Sequence, residues 1–313
     1  MKEKRTAFLL MCLLVCLWGL DYIFAKAALG IMKPMCLLFL KYLVGFILVS
    51  IVKFSQDRKS LVRKKDIPFL ILCSITGEIL YFSCEYTAMD YIPVSLITII
   101  LAFVPAVSII AERLIYKRRF NWKIAMGIML CIIGVAVVIG ADMGSLFQGR
   151  AIGYLLAFGA VISWNAYNFI TAKVSANYSG ATMTFYQLLC TLLILCPYAL
   201  HEMPPIEDFN IRITGGIIYL GLGSAGIGYL ILVRGLKVLG PTISAMFSNF
   251  LPVTATFFGW VFLGESIGPA QIIGGIIVIA SSCIVIVEKG RLDDKLDVGK
   301  ENGGAEETER IKS

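Results

Sequence analysis

The chain is 313 residues long, 58% hydrophobic and only 16% charged, with a formal charge of +7 and a mean hydropathy of +0.83. A soluble domain carries about 25% charged residues, and one of this size cannot hide so many all-round apolar helices in a single core. The basic residues lie scattered in short loops and form no patch, so nucleic acid is excluded as a partner and the lipid bilayer must be the solvent.

Lys2, Lys4 and Arg5 precede an apolar stretch over 6–29. It is too long for the apolar core of a cleaved signal peptide, so a retained first span is expected. Further spans follow at 34–52, 67–88, 93–115, 121–140, 150–172, 181–200, 213–236, 241–263 and 269–288. Each is long enough to cross about 30 Å of hydrocarbon. Pro34, Pro93, Pro241 and Pro269 take first-turn positions, where a missing N–H is harmless. Pro105 and Pro252 lie mid-span and are expected to kink or break their helices. From Lys289 onward the chain turns polar, so 289–313 is expected to be a disordered cytoplasmic tail.

Ten spans put both ends on one side. Of the 28 Lys and Arg residues, 23 fall in the loops of that side or in the ends; Lys33, Arg150 and Arg212 fall opposite, and Lys26 and Lys41 within spans. Both termini are therefore expected in the cytoplasm, in a multi-pass protein of the cell membrane. The nine cysteines sit in apolar runs with no C-x-x-C pair, and His201 is the single histidine. They read as buried packing residues, and no metal, disulfide framework or cofactor is expected.

An internal repeat divides the chain. Pro93-Val94-Ser95 matches Pro241-Thr242-Ile243, and Phe103-Val104-Pro105 matches Phe250-Leu251-Pro252. Gly127 corresponds to Gly274, Leu17-Trp18-Gly19 to Ser163-Trp164-Asn165, and Phe39-Leu40-Lys41 to Phe185-Tyr186-Gln187. Each half, 6–140 and 150–288, holds five spans. An odd number forces the second copy into the membrane upside down. The fold class expected is therefore all-α and integral to the membrane: ten transmembrane helices as two inverted five-helix repeats.

These residues resemble a family. Trp18-Gly19, Pro34 followed by Lys41, Tyr86-Thr87-Ala88 before Pro93, Trp164, Pro252, Leu263-Gly264-Glu265 and Gly274-Gly275 are similar, in order and spacing, to the drug/metabolite transporter superfamily. The resemblance is to its EamA-type ten-helix members and covers about residues 7–287. It implies export or exchange of small metabolites. One departure is Tyr116-Lys117-Arg118, which stands where Leu263-Gly264-Glu265 would recur in the first half.

Two motifs carry no chemistry. Gly221-Leu-Gly223-Ser-Ala-Gly226 fits the dinucleotide pattern, but no βαβ unit surrounds it, and small residues for close helix packing explain it. The Asn177-Tyr-Ser179 sequon falls on the cytoplasmic side. No Walker loop exists to support ATP-driven pumping.

The informative residues are charges within spans, since a charge at mid-bilayer costs at least about 2.5 kcal/mol unless paired or facing a cavity. Asp21 and Glu78 are the deepest acids, and Lys41 is expected to pair with Asp21 or Glu85. Glu112 and Arg234 lie near cytoplasmic ends and are expected to snorkel. Glu78, Tyr81 and Glu85 share a helical face by spacing, as do Trp18 with Asp21 and Trp164 with Asn168. Aromatic rings beside carboxylates and amides suit a polar organic molecule with an apolar or cationic part. The expected central site is therefore Trp18, Asp21, Glu78, Tyr81, Glu85, Trp164, Asn168 and Asn249, with Lys41, Pro105 and Pro252 structural. No acid/base or metal constellation of an enzyme is present. The function expected is a secondary transporter of a small polar or amphipathic molecule, working by alternating access and open to proton coupling through Glu78. A membrane receptor or scaffold without transport is the second reading.

Overall fold

The structure, a computed structural model, describes residues 2–312 apart from 89, 93, 117–120, 140–150 and 265–266. The side chains of Tyr22, Lys26, 94–96, Tyr116, Ile139, Leu263 and 293–312 also lie outside the described residues. The expectations for Pro93, Lys117-Arg118, Arg150 and Glu265 therefore fall outside it.

Every regular element among the described residues is helical. The first half runs α1 (Lys2–Ala28), α2 (Pro34–Gln56), α3 (Ile67–Cys73), a π-helical stretch Ser74–Leu80, α4 (Tyr81–Ala88), α5 (Val94–Leu101), α6 (Val104–Tyr116) and α7 (Trp122–Ile139). The second runs α8 (Ala151–Ser175), α9 (Gly180–Glu202), α10 (Ile211–Tyr219), a second π-helical stretch Leu220–Gly228, α11 (Tyr229–Ser248), α12 (Leu251–Leu263) and α13 (Pro269–Lys312).

Eight helical stretches are long and apolar enough to cross a membrane, and Trp122–Val138 and Leu251–Phe262 are shorter apolar helices. One of the eight, Ile211–Ser248, is two spans in sequence. Gly240 breaks it with φ 82° and ψ 169°, a conformation that an L side chain rarely adopts, and Pro241 restarts the helix. The helix that restarts at Pro241 continues past the break at Ser248 into Leu251–Phe262 as one span, so with Trp122–Val138 the described residues form ten spans. The protein is an all-α integral membrane protein built as two inverted five-helix repeats.

Its outer surface is apolar, as lipid requires: Leu155, Ile133, Ile276 and Trp122 are all exposed. Cys12, Cys16 and Cys283 are exposed on that surface too. The expectation that all nine cysteines are buried is thus corrected, because a thiol is apolar enough to face hydrocarbon.

Both mid-span prolines act as their position demands. Helix α5 stops at Leu101 and α6 restarts at Val104, next to Pro105; α11 stops at Ser248 and α12 restarts at Leu251, next to Pro252. A proline in the interior of a continuous helix would remove a backbone donor; at the start of a new one it costs little.

The halves interlock. Helix α1 packs on α10–α12 of the second half, while α8 packs on the first π stretch and α3–α6. Across the middle, α2 packs on α9 and α7 on α13. The last contact is close: a Cβ on Gly274 would sit 2.6 Å from the backbone nitrogen of Val138.

One expectation near the ends changes. Glu112 does not snorkel. It is buried with Lys289, their charged atoms 2.6 Å apart, joining α6 to α13, because two opposite charges that meet inside need not reach for water. Arg234 is exposed, as expected. Helix α13 carries the backbone onward to Lys312, and Arg291 pairs with Glu288 one turn earlier at 3.2 Å, the type of contact that supports a polar helix.

Candidate functional site

The two π-helical stretches occupy corresponding places in the third span of each half. Both are rich in small and hydroxyl residues, Ser74-Ile-Thr-Gly-Glu78 and Leu220-Gly-Leu-Gly-Ser-Ala-Gly226, so wide turns meet few clashes. Such bulges concentrate at functional positions. The spacing that pairs Trp18 with Trp164 also pairs Lys41 with Gln187, Asp21 with Tyr167 and Glu78 with Ser224.

Glu78 sits in the first π stretch, 1% exposed. Tyr42 of α2 donates a hydrogen bond to its Oε2, and the Tyr229 hydroxyl of α11 bonds the same carboxyl. Around it runs a continuous group of rings from both halves. Trp18 and Trp164 meet edge to face at 6.0 Å, Trp18 and Tyr229 at 6.2 Å, Tyr42 and Tyr229 at 6.1 Å. Tyr81 lies 5.0 Å from Trp164, which stacks on Tyr167 at 5.1 Å. Offset and edge-to-face geometry is the favourable one for such rings.

Toward the face opposite the basic loops stands a second group. Lys41 Nζ pairs with Asp21 Oδ2 at 2.9 Å, and Ser224 of the second π stretch donates to the same oxygen. Asp21 Oδ1 is buried with no hydrogen-bond partner among the described residues. Of the two partners expected for Lys41, Asp21 is the one in contact. Glu85, also buried, is hydrogen-bonded with Tyr81 one turn away. Lys41 lies near enough to act electrostatically on all three acids.

Of the eight residues expected at the site, six come together here: Trp18, Asp21, Glu78, Tyr81, Glu85 and Trp164. The shared face of Glu78, Tyr81 and Glu85 is altered by the π stretch, whose wider turn aims Glu78 at α2 and α11 while Tyr81 and Glu85 pair with each other. Asn168 is buried on α8, its Oδ1 without a partner among the described residues. Asn249 lies elsewhere: at the break before Pro252 its amide donates to Cys131 of α7 at 3.3 Å. A side chain at a broken helix is free to bond sideways, and this one faces the α7–α13 cluster. Sequence reasoning missed Tyr42, Tyr167, Ser224 and Tyr229. The repeat spacing held a signal for two of them, since Tyr167 is the counterpart of Asp21 and Ser224 that of Glu78.

Both ends of the α2–α9 pair are tied. At one, Lys33 meets Glu202 at 2.5 Å. At the basic-loop face, Ser179 and Thr182 donate to Asp57 Oδ2 at 2.5 and 2.7 Å. Beside them Arg63 Nε meets Asp66 Oδ2 at 2.9 Å, and Tyr178 donates to the same carboxylate. The Ser179 hydroxyl, then that of Thr182, holds the Asp57 carboxyl below the usual carboxylate range. A depressed folded-state pKa stabilises above the unfolded value of about 3.9, and the contribution is lost as pH falls through the folded one. Wild type should therefore lose more melting temperature than Asp57→Asn between about pH 5 and pH 3. Parallel curves for the two proteins in detergent would remove Asp57 from this account.

Comparison with known proteins decides the family. Residues 5–140 and 151–287 each match the EamA-like transporter family. The chain belongs to that family.

Its relatives are transporters by name. "Uncharacterized transporter YvbV" of Bacillus subtilis is 24% identical over 286 residues, 90% of this chain and 92% of the relative. "Uncharacterized transporter YoaV" of the same organism is 20% identical over 84% of this chain and 90% of the relative. A "Probable terminal-alkyne amino-acid exporter" of Streptantibioticus cattleyicolor is 23% identical over 71% of this chain and 74% of that protein. A solved crystal structure of a protein 17% identical superposes with a TM-score of 0.76, covering 92% of this chain and 99% of the other. That likeness shows the fold. As an EamA-like protein, the chain is a membrane transporter.

Proposed function

We propose that this EamA-like transporter is a secondary carrier, exporting or exchanging a small amphipathic molecule by alternating access through the aromatic and acidic centre between its halves. The observation that carries this reading is Glu78, held by Tyr42 and Tyr229 inside rings contributed by both repeats. A group at the seam of two inverted repeats is the one that each half can present to its own side in turn. Three acidic side chains against the single cation Lys41, among the described residues of the centre, favour a substrate carrying a positive group, which would pair with whichever of them is ionised. Aromatic faces attract such a group further, by about 0.5–2 kcal/mol each. Asp21 Oδ1, left without a partner, is available to it.

The test is flux in proteoliposomes of three probes that share one ring: phenethylamine, phenylalanine and phenylacetate. Phenethylamine or phenylalanine is expected to move faster than the anion, which lacks an ammonium group. Preference for phenylacetate would overturn the assignment.

The orientation proposed is both termini in the cytoplasm of the cell membrane, supported by the loop charge count. A reporter fused after Lys59 should read cytoplasmic; an external reading would invert the whole arrangement.

A further inference from the structure

Below Glu78, toward the basic-loop face, a seam between the third span, α8 and α9 is polar where an apolar seam would pack more cheaply. Gln187 Nε2 donates to Thr171 Oγ1 at 2.9 Å, Cys73 Sγ lies 3.3 Å from the same hydroxyl, and Ser74 donates to the Gln187 carbonyl at 2.9 Å. Asn168, Thr184 and Gln187 are at most 2% exposed. Asn168 Oδ1, Thr184 Oγ1 and Gln187 Oε1 are each buried without a partner among the described residues. A buried acceptor left unmet bears its desolvation cost without compensation, so three in one seam call for water or a ligand that reaches them in another state.

Their placement forms a track. Asn168 and Thr171 are a turn apart on α8, Thr184 and Gln187 a turn apart on α9, and the two helices are antiparallel. Because Thr171 and Gln187 touch, the open acceptors are strung along roughly 10 Å of seam by the helical rise. The track starts beside Tyr167, the neighbour of the Glu78 group. It ends near Thr182 and Ser179, which Asp57 ties down.

The repeat supplies the meaning. Gln187 is the counterpart of Lys41, Tyr167 of Asp21 and Glu78 of Ser224, so the inverted copy of the Asp21–Lys41–Ser224 group is Tyr167–Gln187–Glu78, and the seam runs from its Gln187 toward the basic-loop face. We infer that the Asn168–Thr171–Gln187–Thr184 seam is the basic-face half of the translocation path. It is an uncharged, hydrogen-bonding lining that hydrates when that face opens and receives the polar, non-ionic parts of the substrate. The inference rests on the alternating-access reading. It differs from the Asp21 group in having no formal charge among its residues, so it offers amide and hydroxyl contacts to a molecule that the other half holds by charge.

The test uses the native thiols. Cys73 lies in the seam and Cys131 between α7 and α13; both are 0% exposed, and Cys131 is hydrogen-bonded to Ser282 at 3.2 Å. A membrane-impermeant sulfonated maleimide is added to proteoliposomes from each side, and peptide mapping reads each cysteine. Cys73 should be modified from the side of the 57–66 loop at least tenfold faster than Cys131. In Gln187→Leu, which makes the seam apolar, the Cys73 rate should fall to that of Cys131. Equal rates in the native protein, or modification of Cys73 from the opposite side alone, overturn the inference. An unchanged Cys73 rate in Gln187→Leu overturns it as well, since the polar lining would then be irrelevant. Failure of the Cys73 result with probe flux intact would sink the seam alone. Absence of flux for all three probes with Cys73 still preferred would sink the substrate reading alone.

Discussion

Glu78→Gln should fold and yet carry its substrate at least tenfold more slowly. Glutamine keeps the shape and one acceptor oxygen, so Tyr42 can still donate to the side chain. What disappears is the ionisable carboxyl, with the charge it can carry and the proton it can exchange. A hydrogen bond to a charged group contributes about 1.5–3 kcal/mol, and each 1.4 kcal/mol corresponds to about a tenfold change in affinity. The measurement is flux of the preferred probe against pH, with elution in gel filtration as the check on folding. The groups facing Glu78 from neighbouring elements are Tyr42 and Lys41 on α2, Tyr167 on α8 and Tyr229 on α11. If the carboxyl exchanges a proton during the cycle, Glu78→Gln flattens the pH profile while exchange between equal pools persists. A folded variant with unchanged rate and unchanged profile would take Glu78 out of the mechanism.

Removing Lys41 should cost more stability than removing both members of its pair. Lys41→Met leaves Asp21 mostly buried, its side chain 17% exposed, with Ser224 alone among the described residues to answer its charge. Breaking a buried pair on one side costs about 3–5 kcal/mol, because an uncompensated charge remains. Some water reaches Asp21, so a loss near the lower end, about 3 kcal/mol, is expected. Asp21→Asn combined with Lys41→Met should recover most of it, since apolar or neutral replacement of the whole pair removes the stranded charge. Thermal melting of wild type, the two single variants and the double variant gives the coupling directly. Additive losses would mean that Lys41 and Asp21 do not stabilise each other.

The buried Glu112–Lys289 pair shows where local reasoning stops. A glutamate near a helix end is expected to extend toward water, and nothing in the local sequence around 112 names a residue at 289 as its partner. Whether a charge snorkels or pairs depends on what another helix brings within 4 Å, a property of packing. Asn249 makes the same point in reverse. Its place before Pro252 correctly marked a break, but the direction in which the freed amide points was set by α7.

Ten spans, their breaks at Pro105, Pro252 and Gly240-Pro241, and the division into two five-span halves follow from sequence alone. Each depends on chemistry confined to a few consecutive residues: a helix in lipid must satisfy its own backbone and be apolar along its length, and a proline cannot donate. Parity of the span count then inverts the repeat with no contact needing to be known. Tertiary structure alone decided which intramembrane charges meet and which rings surround Glu78. The π stretches turned Glu78 away from Tyr81 and Glu85 and toward Tyr42 and Tyr229, residues far apart in the chain. A register shift of this kind adds about one residue to a helical turn. Periodicity computed for 3.6 residues per turn cannot register it, and so the two tyrosines that hold the central carboxyl were not legible until the halves were packed together.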